Sequence, residues 1–498
     1  MAYHAYVTKL TNVRPHPNAD RLQLADCFGN TTCVNLDYTE GQLVVYFPVD
    51  GQLSEDFCEV NHLCRKKKDG TPDTGYLDEN KRNVVAIRLR GEKSDGLALP
   101  ITCLESFGDI TALNHGDVID VFNGHEICRK YIPRSPERHC KGGHGHSNGN
   151  KTRKKKVNIA PLFHEHADTE QLNYNLGAFK AGDEIEITLK MHGTSQRTGY
   201  LPVFKGYADS WHRNFLNKIW FWFNYITHKH DLYTTLDMMK HDGEPIYEYD
   251  YISGTRRTVL EDFEGGFYGS NKFREQHSKF FEGKLWKGEE VYYEVVGFTH
   301  TGTPIMSECD NKKLNDKDFI KQYGKTTVFS YGCGPCGVYE FNNPLIPQSD
   351  IYVYRMTMTN EDGEVVEYTP SFMRYRCEQM GVKTVPVMWK GTIPENLQTE
   401  DFISNEEHDF VEWIYAENAG EWIRNKAEQY YDGPDPIGKT HVREGVVVRI
   451  LNRPKFIAYK TKNFSFKCLE GLVKAEAEMP DMEEREEILE EVQENNDE

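Results

Sequence analysis

Lys190 opens the hexapeptide Lys190-Met191-His192-Gly193-Thr194-Ser195, and a lysine placed this way can serve as a nucleophile. The residues before it, Asp183 to Leu189, alternate apolar and polar and predict a β-strand that ends at the lysine. A Gly-Thr turn directly after the strand lets the side chain sit in a pocket and reach a bound nucleotide. Lysine attacks only as the neutral amine, a form that burial and neighbouring cations favour. Alone the hexapeptide is a weak signal, because most lysines are simply solvated. Its meaning depends on groups further along the chain.

Four later stretches supply such groups. Tyr292-Tyr293-Glu294-Val295-Val296-Gly297 sets one carboxylate in an otherwise apolar and aromatic strand, and Ile351 to Arg355 is an aromatic strand containing Tyr354. Arg443 to Arg449 is a β-branched strand with Glu444 at its head. Sixteen residues after Glu444 comes Lys460, and Lys462 follows two positions later, on the same face of a strand. Glu294 and Glu444 can hold a hydrated Mg²⁺ that bridges phosphates. Lys460 and Lys462 can neutralise an α-phosphate and orient a pyrophosphate leaving group. Tyr354 can stack on a purine. Each also has a plain structural reading, Glu294 as a buried ion pair and Tyr354 as core.

In this order, over roughly residues 185–468, the stretches resemble the covalent nucleotidyltransferase superfamily of RNA ligases, DNA ligases and mRNA capping enzymes. The resemblance implies that Lys190 takes AMP from ATP, with Mg²⁺ or Mn²⁺ as the second cofactor and His192 and Gly193 completing its motif. It implies that Glu294 and Glu444 are the third- and fourth-motif carboxylates, that Tyr354 sandwiches adenine, and that Lys460 and Lys462 are the closing pair. Ser253-Gly254-Thr255-Arg256-Arg257 looks like the intervening phosphate-binding arginine motif, with Arg256 favoured over Arg257. DNA ligases and capping enzymes usually carry Asp where His192 stands and Arg where Ser195 stands, so the hexapeptide is more like that of RNA ligases. Leu189 stands where RNA ligases often have Glu, which leaves adenine selection to other residues.

These motifs need elements to position them. Residues 1–132 hold short strands broken by Pro, Gly, Asn and Asp turns, and predict an OB-like β-barrel. Pro15 to Leu22 resembles the entry of tRNA-binding and ligase-type OB modules. Residues 133–157 read as a Gly/His-rich and basic linker or loop, whose run Lys151-Thr152-Arg153-Lys154-Lys155-Lys156 is either a phosphate-backbone contact or a solvated segment. Its His/Cys cluster lacks the spacing of a closed zinc site. Residues 158–470 read as an α+β adenylyltransferase domain of antiparallel sheets with flanking helices, including one predicted over Glu406–Tyr430. Residues 471–498 form an acidic tail. Only 36 residues follow Lys462, too few for the C-terminal OB domain of DNA ligases and capping enzymes. The arrangement resembles instead the RNA ligases with an N-terminal OB domain, which seal nicks having a 3′-OH RNA strand.

The net charge of −19 argues at first against a polyanionic partner. However, the tail alone carries twelve acidic residues against Lys474 and Arg485, a net −10, so the remainder is only about −9. Twelve cysteines without framework spacing fit reduced thiols in the cytoplasm, and no apolar run is long enough to span a membrane. Gly332-Cys333-Gly334-Pro335-Cys336-Gly337 has the spacing of a dinucleotide fingerprint, but Pro344 and Pro347 follow where a helix is required. A tight turn is the better reading. The expected activity is therefore ATP-dependent RNA ligation through a lysyl-AMP intermediate, acting on nicked duplex or tRNA-like RNA or on RNA/DNA hybrids. The alternatives are a GTP-dependent capping-type guanylyltransferase and a non-catalytic tRNA- or RNA-binding OB protein.

Overall fold

Strict alternation along the strand Glu184–Lys190 sets up the centre of the molecule. Ile185 and Ile187 point into a core with Val446, Val448 and Ile450, while Glu186, Thr188 and Lys190 occupy the opposite face. This strand lies fourth in a five-stranded sheet ordered Glu170–Gln171, Ile457–Lys462, Gly445–Ile450, Glu184–Lys190 and Val387–Thr392. All neighbours run antiparallel except the first pair. The helix Ala419–Tyr431 covers the apolar face, burying Trp422, Ile423 and Ala427. Full burial of a large apolar side chain such as Ile423 contributes about 1.5–3 kcal/mol.

A second, seven-stranded sheet supplies the other wall. Its order is Val259–Leu260, Pro245–Gly254, Thr194–Tyr207, Glu289–Gly297, Ser349–Thr359 and Val365–Glu367, with Lys383–Thr384 added in parallel beside Ser349–Thr359. Every residue of Glu289–Gly297 is buried, including Glu289, Glu290 and Glu294, and between these carboxylates the strand is apolar and aromatic. The computed structural model describes residues 3–67, 70–131, 158–167, 169–207, 222, 226, 245–260, 262–264, 270–306, 308–340, 343–404, 409–416 and 418–476. The Gly/His-rich and basic stretch 133–157, with Lys151–Lys156, and the tail beyond Glu476 lie outside these residues. Architecture over the described residues is mixed α+β, mostly antiparallel sheet with few helices. No helix among them is long and apolar enough to cross a membrane.

The N-terminal strands are divided among several small sheets. Among the described residues they form a four-stranded sheet (Val118–Ile119, Ala5–Lys9, Leu43–Phe47, Leu97–Pro100), a three-stranded sheet (Thr11–Pro15, Leu22–Cys27, Asn30–Asn35) and small pairs, and no closed barrel is found. The strand Thr11–Pro15 is itself irregular. Asn12 is left-handed at φ 54°, and the Glu40 carboxylate takes the Asn12 and Val13 N–H groups at 3.1 and 2.8 Å. Those donors are thus satisfied away from the neighbouring strand Leu22–Cys27, and the pairing with it is bulged between Thr11 and Arg14. The N-terminal sheets are joined to the rest by Lys467–Asp95 at 2.7 Å, by Arg88–Asp316 at 3.1 Å and by the stacked rings of Tyr6 and Tyr174.

The helix expected over 406–430 is corrected. Asp409–Tyr415 is a strand paired with Gln398–Ser404, and the helix begins only at Ala419. The extended Asn418 caps it, its side chain accepting the Glu421 N–H at 2.9 Å. Upstream, the run Phe410-Val411-Glu412-Trp413-Ile414-Tyr415 is rich in residues that favour strands. The Gly332–Gly337 stretch forms turns and leads into the strand Val338–Glu340, with no helix following.

Candidate active site

Register builds the centre of the site. Lys190 pairs with Gly445, and Gly445 pairs in turn with Lys462, so the two lysines flank one glycine across three strands. Glu444 immediately precedes that glycine and falls between them. Its carboxylate lies 2.6 Å from the Lys190 ammonium and 3.6 Å from that of Lys462. A Cβ on Gly445 would meet the Thr461 carbonyl oxygen at 2.0 Å, so only glycine allows this approach. The main chain also links Glu444 to the next element: its carbonyl accepts the Asn463 N–H at 2.7 Å, at the start of the helix Phe464–Glu476.

His192 joins the same carboxylate, with Nδ1 3.3 Å from Glu444. Its backbone N–H donates to the Tyr331 hydroxyl at 2.5 Å, and its ring is held edge-on by Phe329 and Phe466. Burial opposes the charge on Glu444, but Lys190, Lys462 and His192 together hold its carboxyl down at about 2. Lys462 is shared with Glu470 at 2.9 Å. Gly193 lets the turn lie against the second sheet, since a Cβ there would stand 2.4 Å from the Val295 carbonyl and 2.9 Å from Glu294 Cγ.

A cavity opens between the two sheets in front of this cluster. Lys190, Arg256, Glu294, Tyr354 and Lys460 lie on its wall; Glu444, His192 and Gly193 stand outside the lining, and Lys462 lines an adjoining cleft. Arg257 faces neither space, while its carbonyl accepts from Arg197 at 3.1 Å. Tyr354 reaches the cavity through a β-bulge: Tyr292 pairs with Arg355 and Tyr293 with Val353, leaving Tyr354 as the extra residue. Its hydroxyl hydrogen-bonds Ser195 Oγ at 2.9 Å.

Two wall residues, and one buried behind the wall, are not announced by the sequence. Glu186 is buried and accepts two bonds from Arg374, at 2.8 and 3.1 Å. It shares a face with Lys190 at a spacing of four, so strand periodicity was the available signal. His166 comes from an irregular segment with no pattern to announce it. It lies among Tyr292, Tyr354 and Phe456, and burial, reinforced by Arg355 and Arg256, keeps it well below the ordinary histidine range. Arg197 is the least visible. Fully buried, it donates to the carbonyls of Thr255 (2.9 Å), Phe163 (3.1 Å), His164 and Arg257, and lies 3.4 Å from Glu290. It thereby ties the turn carrying Arg256 to the segment carrying His166. Burial pushes the Glu290 carboxyl up to about 7 against the pull of Arg197.

The donor set suits a hydrated divalent ion better than a directly caged one. No three His, Cys, Asp or Glu side chains converge among the described residues; Glu444 is already surrounded by cationic groups, and of the two carboxylates on the cavity wall Glu186 is held by Arg374, which makes Glu294 the better candidate.

No protein-family model matches the chain, and no curated protein does. Among solved structures it is similar to RNA ligase from Naegleria gruberi. A lysine-to-methionine mutant with AMP and Mn aligns at 14% identity and a TM-score of 0.49, covering 93% of this chain and 97% of that one. The same ligase with PPi aligns at 14% identity and 0.48, covering 95% and 98%. A lysine-to-alanine mutant with ATP and Mn aligns at 14% and 0.46, covering 94% and 98%. At this degree of similarity, only the site itself can carry a functional reading.

Proposed function

We propose that this chain is an ATP-dependent RNA ligase that joins 3′-OH and 5′-phosphate ends through a lysyl-AMP intermediate. The observation that carries the reading is the in-register row Lys190–Gly445–Lys462 with Glu444 between the lysines, placed beside a cavity lined by Arg256, Glu294, Tyr354 and Lys460. An ordinary structural salt bridge does not need a second lysine, a histidine and an adjoining cavity with further cations.

In the first step Lys190 Nζ, as the neutral amine, attacks the α-phosphorus of ATP; the P–N bond forms, pyrophosphate leaves, and the nitrogen gives up a proton. The Glu444 contact at 2.6 Å holds the ammonium form in place, so a separate, earlier proton must depart before attack. Lys460 and Arg256 neutralise phosphate oxygens, Tyr354 packs on the base, and Glu294 is the carboxylate suited to a hydrated Mg²⁺ or Mn²⁺, which when bound neutralises phosphate charge. Next, a 5′-phosphate oxygen of RNA attacks the α-phosphorus, the P–N bond breaks, and Nζ takes up a proton as it leaves. Finally the 3′-OH attacks the activated 5′-phosphate, forming the phosphodiester and releasing AMP and a proton.

Residues 1–132 are read as an OB-like unit that grips nicked duplex or tRNA-like RNA, or an RNA/DNA hybrid, in RNA repair. The domain boundaries at 132, 157 and 470 belong to the same reading. The eleven described cysteines are all free, as a reducing compartment such as the cytoplasm would keep them. Incubation with ATP or GTP labelled at the α-phosphate, followed by sealing of nicks with each strand made of RNA or DNA, tests the proposal. Covalent AMP and sealing of RNA 3′-OH nicks are expected; covalent GMP alone, or no covalent nucleotide, would overturn it.

A further inference from the structure

The cleft adjoining the nucleotide cavity has a volume of about 560 Å³, within the range of about 300–1,000 Å³ typical of small-ligand sites. It lies between the N-terminal sheets and the five-stranded sheet. Arg256 and Lys460 line both spaces, whereas Lys190 lines only the nucleotide cavity. The far wall of the cleft carries amide side chains from both parts of the chain. Asn30 and Asn173 meet there at 3.3 Å, and Gln171 and Asn175 lie beside them. Amides both donate and accept, which suits the edges of a nucleobase. The cleft lysines Lys462 and Lys467 are held by Glu470 and Asp95 at 2.9 and 2.7 Å, donors for which a phosphate dianion can compete.

Phosphoryl transfer is in line, with attacking and leaving atoms on opposite sides of phosphorus. Pyrophosphate therefore leaves on the side away from Lys190. When Lys190 is in turn the leaving group, the RNA 5′-phosphate must attack from that same side. One region has to serve both, and the cleft adjoins the nucleotide cavity at the shared cations. We propose, resting on the ligase reading, that this cleft seats the 5′-phosphorylated terminal nucleotide of the RNA. Arg256, Lys460 and Lys467 take its phosphate, and Asn30 and Asn173 contact its base. The transfer forms a P–O–P bond from a 5′-phosphate oxygen, breaks the P–Nζ bond, and returns Lys190 to the amine with uptake of one proton.

The test uses full-length protein preloaded as enzyme-AMP and chased with 5′-phosphorylated oligoribonucleotide in single turnover. In Asn173→Leu and, separately, Asn30→Leu, the RNA concentration giving half-maximal AMP transfer is expected to rise about tenfold, the scale of one lost buried hydrogen bond with its partner left unpaired. The yield of enzyme-AMP from ATP is expected to stay within about twofold. On the unmodified protein, a 5′-phosphorylated dinucleotide is expected to accept AMP, and its 5′-hydroxyl counterpart to compete at least about tenfold more weakly, as loss of charge-assisted phosphate contacts implies. Unchanged half-saturation in both variants with normal enzyme-AMP would overturn the cleft assignment and leave the ligase reading standing. Equal competition by the two dinucleotides would do the same without any variant. If the unmodified protein forms no enzyme-AMP from any nucleotide, the ligase reading falls and takes the cleft assignment with it.

Discussion

The two sheets that face each other across the cavity contribute in different ways. The five-stranded sheet delivers charge through register: Lys190, Glu444 and Lys462 meet because their strands pair residue for residue around Gly445. The seven-stranded sheet delivers shape through irregularity and buried struts. A bulge aims Tyr354, and Arg197 gathers the carbonyls of two loops that present Arg256 and His166. Damage to the first sheet should therefore act on chemistry, and damage to the second on nucleotide placement.

The largest expected effect comes from Glu444→Ala. It leaves Lys190, Lys462 and His192 crowded without their carboxylate, and removing one partner from a buried charge cluster costs about 3–5 kcal/mol. Adenylation should fall by more than about 100-fold, checked by labelled AMP transfer beside a thermal melt. A variant that melts normally and adenylates normally would break the contrast between the sheets.

Next in size is a pH effect from the same residue. Its folded value of about 2 lies below the ordinary 4.5, so its stabilisation is complete above about 4.5 and is lost as pH falls from there through about 2. At about 1.4 kcal/mol per unit the loss is on the order of 3 kcal/mol. Denaturant melts across that window should show it, and Glu444→Gln should flatten that part of the profile.

In the second sheet, Arg197→Lys keeps a cation near Glu290 but cannot reach the carbonyls on both loops. A loss of about 2 kcal/mol is expected, with half-maximal adenylation shifted to higher ATP and the maximal rate changed little. The smallest effect belongs to Tyr354→Phe, which keeps the ring and removes the hydroxyl contact with Ser195. About 1 kcal/mol, or roughly a fivefold weaker ATP dependence, is expected from a titration of adenylation against ATP.

The same contrast explains what could be read from the chain beforehand. Lysines and carboxylates within or at the ends of apolar strands stand out, because a charge in an apolar run needs a reason, and Lys190, Glu294, Glu444, Lys460 and Lys462 all show that mark. Glu186 carried the mark as well, but in an alternating strand it passes for a solvent-facing position until the cavity is seen. The bulge at Tyr354 depends on a two-against-one pairing with Tyr292 and Tyr293, which no single strand encodes. Arg197 lies inside an ordinary polar stretch, and its partners are main-chain carbonyls, invisible as residue types. The contact of His192 with Glu444 joins residues 252 apart in sequence, which no local pattern announces. The bulge in Thr11–Pro15, where Glu40 takes the Asn12 and Val13 N–H groups from 28 and 27 residues away in sequence, is a long-range effect that strand patterning cannot register.

The most direct measurement is peptide mass spectrometry of the protein after incubation with ATP and Mg²⁺, with pyrophosphate removed. The peptide containing Lys190 is expected to gain one AMP on that lysine, and the adduct is expected to disappear in Lys190→Ala while the melt is retained. An adduct on a different lysine, or persistence of the adduct in Lys190→Ala, would contradict the assignment at its centre.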